Sequence, residues 1–255
     1  MLIHHFPELI DPQDEDLLLI ERPGAEPGAE PGAEPEYFSL KLSTLKQYLA
    51  IPIISLVEPA VRYRAAGAIH SNGLVSRWPS EVGSNDLLVS GAGLSRIADG
   101  LNAKPVVNFA GTNGFFSSSL GLTNISCGFL ILNHTDGENF TDFRRIVDFG
   151  DNPGSLFGVS GGAGYSPASF PRNIASNGLK VNGQISNSAA PLSAYKILYF
   201  RFDVPVSNRL WLGTYSGTGA QLFKGNLADV VLFNQYLSAA QEADWYAALK
   251  KEYAL

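Results

Sequence analysis

The C-terminal segment constrains this chain more than any other stretch. Leu210-Trp-Leu-Gly-Thr and Leu222-Phe-Lys-Gly-Asn-Leu-Ala-Asp-Val-Val-Leu-Phe-Asn-Gln-Tyr-Leu-Ser read as two β-strands and a tight glycine turn, followed by a helix. Val230-Val-Leu-Phe is a β-branched and aromatic run of strand length. Ser238 is placed to cap the helix, where Ala239, Glu242, Ala243, Tyr246, Leu249 and Tyr253 recur at three- and four-residue steps. The pattern predicts a β domain closed by one helix.

The rest of the chain agrees. Phe129-Leu-Ile-Leu, Arg144-Arg-Ile-Val-Asp-Phe and Ile197-Leu-Tyr-Phe-Arg-Phe-Asp-Val are further β-rich runs separated by Gly, Asn, Asp and Pro clusters, the pattern of a sandwich. The 26 Gly, 15 Pro and 16% charged residues are those of a turn-rich β protein, and 255 residues suffice for one large core with a small appendage.

The net charge of -6 is unevenly spread. Residues 1–36 carry ten of the 24 acids and one base, Arg22, which leaves 14 acids against 17 bases elsewhere. Without a basic stripe there is no counterion-release term, so nucleic acid is not expected as a partner, nor is an anionic membrane. No apolar run reaches the length of a membrane span, and the Met-Leu-Ile-His-His-Phe-Pro-Glu start lacks the form of a signal peptide. Synthesis in a cytoplasm is expected. The one cysteine, Cys127, lies in an apolar run, so no intrachain disulfide forms and burial is the simple expectation.

Residues 1–50 differ in composition and are expected to be a separate arm. Leu17, Leu18, Leu19 and Ile20 form an apolar run between acids, read as a strand. Pro23-Gly-Ala-Glu, repeated to Pro35, cannot sustain a ladder or a helix and is expected as an extended spacer. Phe38, Leu40 and Leu42 then alternate at strand spacing, and Leu42, Leu45 and Leu49 fall at helical spacing, with Ser43 or Thr44 placed as an N-cap. Such a unit is too small to bury its own core and is expected to pack on a partner, most simply another copy of itself. Residues 51–71 read as a connector and 72–255 as the sandwich.

Four dispersed motifs give the sandwich a resemblance. Trp78-Pro-Ser-Glu-Val-Gly-Ser-Asn-Asp-Leu-Leu, Lys104-Pro-Val-Val-Asn-Phe-Ala-Gly-Thr-Asn-Gly-Phe-Phe, Gly178-Leu-Lys-Val-Asn-Gly-Gln and the closing segment resemble, in order, motifs of concanavalin-like jelly-roll domains of the laminin-G type. Ala110 stands where that pattern usually has an acid. The resemblance implies an all-β jelly-roll sandwich with a short C-terminal helix. Asp16-Leu-Leu-Leu-Ile and Phe38-Ser-Leu-Lys-Leu-Ser-Thr-Leu-Lys-Gln-Tyr-Leu49 resemble the N-terminal adaptor of bacteriophage tail fibres, which implies a homotrimeric virion protein.

Candidate chemistry is sparse. Glu242 and Asp244 lie two apart on a helix and point apart, unlike the close carboxylate pair of a glycosidase. His4, His5, His70 and His134 have no partners at metal spacing, and no metal site is expected from them. Asn133-His-Thr-Asp-Gly-Glu-Asn offers oxygen ligands to calcium, or is a solvated turn. No Gly-x-Ser-x-Gly elbow occurs, and the Gly158–Tyr165 run reads as an edge loop, not a phosphate cradle. Tyr165 and Tyr215, flanked by Gly and Ser, are candidates to stack on sugars, with Asn133 and Asp136 as hydrogen-bonding partners, whereas Trp211 reads as core.

The leading expectation is a non-enzymatic phage tail fibre. Its N-terminus would dock on baseplate or tail proteins and its sandwich would hold a host cell-surface glycan. A capsid decoration protein contacting the major capsid protein, and a carbohydrate-active enzyme, are the alternatives.

Overall fold

The computed structural model describes residues 56–135, 144–149, 174–186, 193–215 and 217–255, and the backbone of 17–21, 37–41 and 157–159. Two compact units, Met1–Ser55 and Leu56–Leu255, make up the chain. In the first, strands β1 (Leu17–Glu21) and β2 (Tyr37–Lys41) pair antiparallel, with Leu17 opposite Lys41, Leu18 opposite Leu40, Leu19 opposite Ser39 and Ile20 opposite Phe38. The expectations at Leu42, Leu45 and Leu49 lie outside the described residues.

Among its described residues the second unit is all-β apart from its closing helix and a short 3-10 turn. Its described strands are β3 (Val61–Arg64), β4 (Ile69–Ser71), β5 (Leu74–Trp78), β6 (Leu87–Ser90), β7 (Leu94–Leu101), β8 (Lys104–Ala110), β9 (Phe115–His134), β10 (Arg144–Asp148), β11 (Phe157–Val159), β12 (Ile174–Val181), β13 (Gln184–Ile185), β14 (Lys196–Leu212) and β15 (Lys224–Phe233). The helix, α1, spans Ala239–Tyr253. Residues 56–71, expected as connector, belong to this unit, since β3 pairs with β15 from Asp229 to Leu232.

The strands form a sandwich because two of them are long enough to serve both layers. The first part of β9 pairs with β6 and with the last part of β14, while its second part pairs with the first part of β14 and with β15. Register shifts between Arg201 and Asn208 mark the bend. Hydrogen bonding runs round a closed circuit, β9 to β6, β5, β7, β8, β15 and back to β9. Closure removes free edges from those six strands.

Between the layers lie Trp78, Phe109, Phe116, Phe200, Phe202 and Phe223, all fully buried. Trp78 and Phe116 ring centroids are 5.4 Å apart, and Phe109 stands edge-on to Phe116 at 5.8 Å and to Phe223 at 5.4 Å. The layer carrying β15 is buried on both faces: Leu130, Leu132, Leu198, Phe200 and Val230 face the interior, and Phe129, Ile131, Ile197, Tyr199 and Val231 face α1. That double burial is why these strands read as continuous apolar runs.

Helix α1 begins at a capping box, in which Ser238 Oγ accepts from the Gln241 amide and Gln241 Oε1 accepts from the Ser238 amide at 2.8 Å. Its buried stripe is Trp245, Leu249 and Tyr253. This corrects the expected stripe at one end: Ala239 and Ala243 are exposed, and Trp245 packs against Phe233 (5.3 Å between centroids) and Phe129. Trp245 Nε1 donates to Val57 O at 3.0 Å, which joins the helix to the chain before β3.

Candidate functional site

Strand β14 ends in a loop that presents Tyr215. Gly213 turns the chain with φ of 86°, and a Cβ there would stand 2.6 Å from the Phe109 ring, so only glycine fits. The Tyr215 amide donates to Ala220 O at 3.1 Å, the Thr218 amide donates to Tyr215 O at 2.9 Å, and Thr214 Oγ1 accepts from the Gly219 amide. These bonds close a compact turn with Tyr215 37% exposed at its edge.

Arg145 of β10 holds that ring from one side. Its guanidinium carbon lies 5.0 Å from the Tyr215 ring centroid, its Nε donates to Gln221 Oε1 at 2.6 Å, and its amide donates to Gln221 O. Burial holds the Arg145 guanidinium below its ordinary value, with the Asp148 charge and Tyr215 acting the other way. Asp148 is buried and stands opposite Trp211 in the register of β10 and β14.

Trp211 departs from its expected place in the core. It is half-buried and belongs to neither apolar cluster, and a Cβ on Gly217 would stand 2.4 Å from its Nε1. Leu210 and Leu212 on either side face the interior, so Trp211 faces outward from the sheet. Sequence reasoning missed Arg145, Gln221 and the outward Trp211. The alternation Leu-Trp-Leu carried the signal for Trp211, but which parity faced inward depended on the partner strands.

The other candidates fall elsewhere. Asn133 of β9 joins a chain of side-chain amides: Asn108 Nδ2 donates to Asn226 Oδ1 at 2.8 Å, and Asn226 Nδ2 donates to Asn133 Oδ1 at 2.8 Å. Tyr215 packs on Arg145 instead, and no contact joins the two groups among the described residues. Tyr165 and Asp136 lie outside the described residues, as does most of the proposed calcium loop. His134 is buried edge-on to Phe223, and His70 is exposed beside Arg96. Among the described residues no group of three or more His, Cys, Asp or Glu could hold a metal ion.

One ion-pair cluster brings two carboxylates onto a single arginine. Asp229 and Glu252 both bind Arg62 Nη2, at 2.5 and 2.7 Å. Burial pushes the Asp229 carboxyl up to about 6 against the opposing pull of Arg62, whereas Glu252, held by Arg62 and Arg64, sits below its ordinary value despite its own burial. Asp229 is fully buried beneath Tyr253, whose hydroxyl lies 3.1 Å from its Oδ2, so no substrate reaches it. Glu242 of the pair singled out in the sequence is bound by Lys180 Nζ at 2.6 Å.

No family model and no curated protein matches the chain. Among solved structures it is similar to Trypanosoma rangeli sialidase. With the inhibitor DANA bound, identity is 12% and the TM-score 0.43, over 80% of this chain and 36% of the sialidase. For a second Trypanosoma rangeli sialidase structure the values are 13% and 0.42, over 82% of this chain and 37% of the sialidase. The chain therefore spans little more than a third of the sialidases' length. The expectation of a protein without enzymatic activity is corrected at this point, because the structures it is similar to are those of enzymes. That expectation is withdrawn, and a likeness this distant carries neither activity nor substrate to this chain.

Proposed function

We propose that the chain is a bacteriophage virion protein. Residues 1–50 assemble it as a homotrimer on tail or baseplate proteins, and a concanavalin-like sandwich offers Tyr215 to a host cell-surface glycan. The observation that carries the glycan reading is the Tyr215 ring, backed by Arg145 and held on a closed turn while remaining 37% exposed. A ring already fixed gives a sugar a stacking face at little entropic cost. Outward Trp211, at the end of β14, and the Gln221 amide, in the loop that carries Tyr215, extend the surface. Three such sites on one trimer would bind by avidity, so each alone can be weak.

The test joins mass and binding. Light scattering on the full chain is expected to give a trimer, and removal of residues 1–55, which leaves β3 intact, a monomer. On a glycan array the trimer is expected to retain ligands that Tyr215→Ala loses without loss of folded signal. A full-length monomer overturns the virion assembly. A trimer that binds purified capsids and no glycan overturns the attachment role in favour of capsid decoration.

A further inference from the structure

The strand by which the chain enters the sandwich is held from several sides. Ahead of β3, Val57 O accepts from Trp245 Nε1 of α1 at 3.0 Å, and the Ala60 amide donates to Leu232 O of β15 at 2.8 Å. Along one edge β3 pairs with β15, with Val61 opposite Leu232, Arg62 opposite Val231, Tyr63 opposite Val230 and Arg64 opposite Asp229. From elsewhere in the unit, Arg62 O accepts from the Glu81 amide at 2.8 Å, and Arg64 O accepts from Trp78 Nε1 at 2.7 Å.

The side chains add ties of their own. Val61 and Tyr63 are buried, and the Tyr63 hydroxyl donates to Asn85 O at 2.6 Å. Arg62 binds Asp229 of β15 and Glu252 of α1, and Arg64 binds Glu81 at 2.6 Å and Glu252 at 3.0 Å. Pairing with β15 alone would hold a four-residue strand weakly. Here the same four residues are also fastened to α1 and to the segment 78–85.

Topology sets the direction in which those ties are strained. Because β3 runs antiparallel to β15, the chain enters at the Phe233 end of β15, where Trp245 packs on Phe233. The Tyr215 turn lies at the opposite end, since the Phe223 amide donates to Gly213 O at 3.0 Å just before β15 begins at Lys224. A pull between the entry and the Tyr215 turn therefore draws β3 and β15 past each other. Ladder hydrogen bonds stand perpendicular to the strands, so the register pairs and the arginine ties are strained together and none breaks alone. Strand β15 is itself held along its other edge, where β9 pairs with it from Gly225 to Phe233.

We infer that β3 is a mechanical clamp, a further function of the sandwich, which carries tension between the N-terminal side of the chain and the Tyr215 surface. That role rests on the attachment reading proposed above, in which the particle holds one end and the host the other. A pull between the entry and Leu255 strains the molecule differently, because it peels α1 from Tyr253 onward, one contact after another. Four register pairs sharing the tension are expected to rupture at roughly twice that force or more.

Optical tweezers on the full chain test this, with one handle on an N-terminal tag and the other on Ala220→Cys or on a C-terminal tag. Through Ala220→Cys, unfolding of residues 56–220 is recognised by the release of roughly 550 Å of chain. The force for that step is expected to be about twofold or more above that of the C-terminal tether. Arg64→Met, which cuts the ties to Glu81 and Glu252, is expected to lower the force through Ala220→Cys. Ser238→Ala, which removes the α1 cap and lies off the path, is expected to leave it unchanged. Equal forces along the two paths overturn the clamp, and so does a force through Ala220→Cys that Arg64→Met leaves as it was. A monomeric chain or an empty glycan array overturns the attachment role instead, and the force ratio is read independently of both.

Discussion

Asp229 Oδ2 and Arg62 Nη2 meet at 2.5 Å in the seam between the sheet and the terminal helix. A β-bulge puts them there. Leu227 stands opposite Leu132 and Asp229 opposite Ile131, so Ala228 is an extra residue in β15. The extra residue shifts the alternation, and Leu227, Val230 and Leu232 face the interior while Asp229 turns toward Tyr253 and Arg62 on the helix side. Removing one partner leaves a buried charge, so Arg62→Met is expected to cost about 3–5 kcal/mol in urea unfolding. The double variant Arg62→Met with Asp229→Leu should recover most of that loss.

The same carboxyl sets a pH dependence. Its folded value is raised from 3.8 to about 6, so between those values the native state holds a proton that the unfolded chain has released. Its contribution to stability is therefore present in acid and is lost as pH rises from about 4 to about 6. Glu252 acts the other way, because its lowered value stabilises above the ordinary carboxylate range and is lost as pH falls. Urea midpoints measured from pH 4 to 7 should show a falling component that Asp229→Asn abolishes.

The helix has two separable supports. Ser238→Ala removes the capping-box acceptor and is expected to cost about 1 kcal/mol. Trp245→Ala empties the space against Phe233 and Phe129 and frees Val57 O, for an expected loss of about 3–5 kcal/mol. Equilibrium unfolding followed by tryptophan fluorescence in the first variant and by circular dichroism in both would rank them.

Gly225 lies within β15 where no side chain fits. A Cβ there would stand 2.3 Å from Asn133 O and 2.5 Å from the Phe223 ring. Gly225→Ala is expected to destabilise by about 3 kcal/mol, the upper end of overpacking, because a backbone atom must move. The movement should also disturb the Asn226–Asn133 hydrogen bond, visible as a shift of both side-chain amide signals in NMR.

The sequence by itself determined what is local. The apolar runs of β9, β14 and β15, the Ser238 cap, and the Asn182-Gly183 hairpin, where φ is 49° and then 81°, follow from propensity and turn chemistry within a few residues. Tertiary structure alone decided the rest. Whether Trp211 faces in or out, and whether Trp245 or Ala243 faces the sheet, depends on which neighbour covers each face. The Asn108–Asn226 and Asn226–Asn133 contacts join residues 118 and 93 positions apart, and one residue of slip in any strand would turn those amides to the opposite face. The bulge at Ala228 is such a slip, and it converts Asp229 from an interior position to the partner of Arg62.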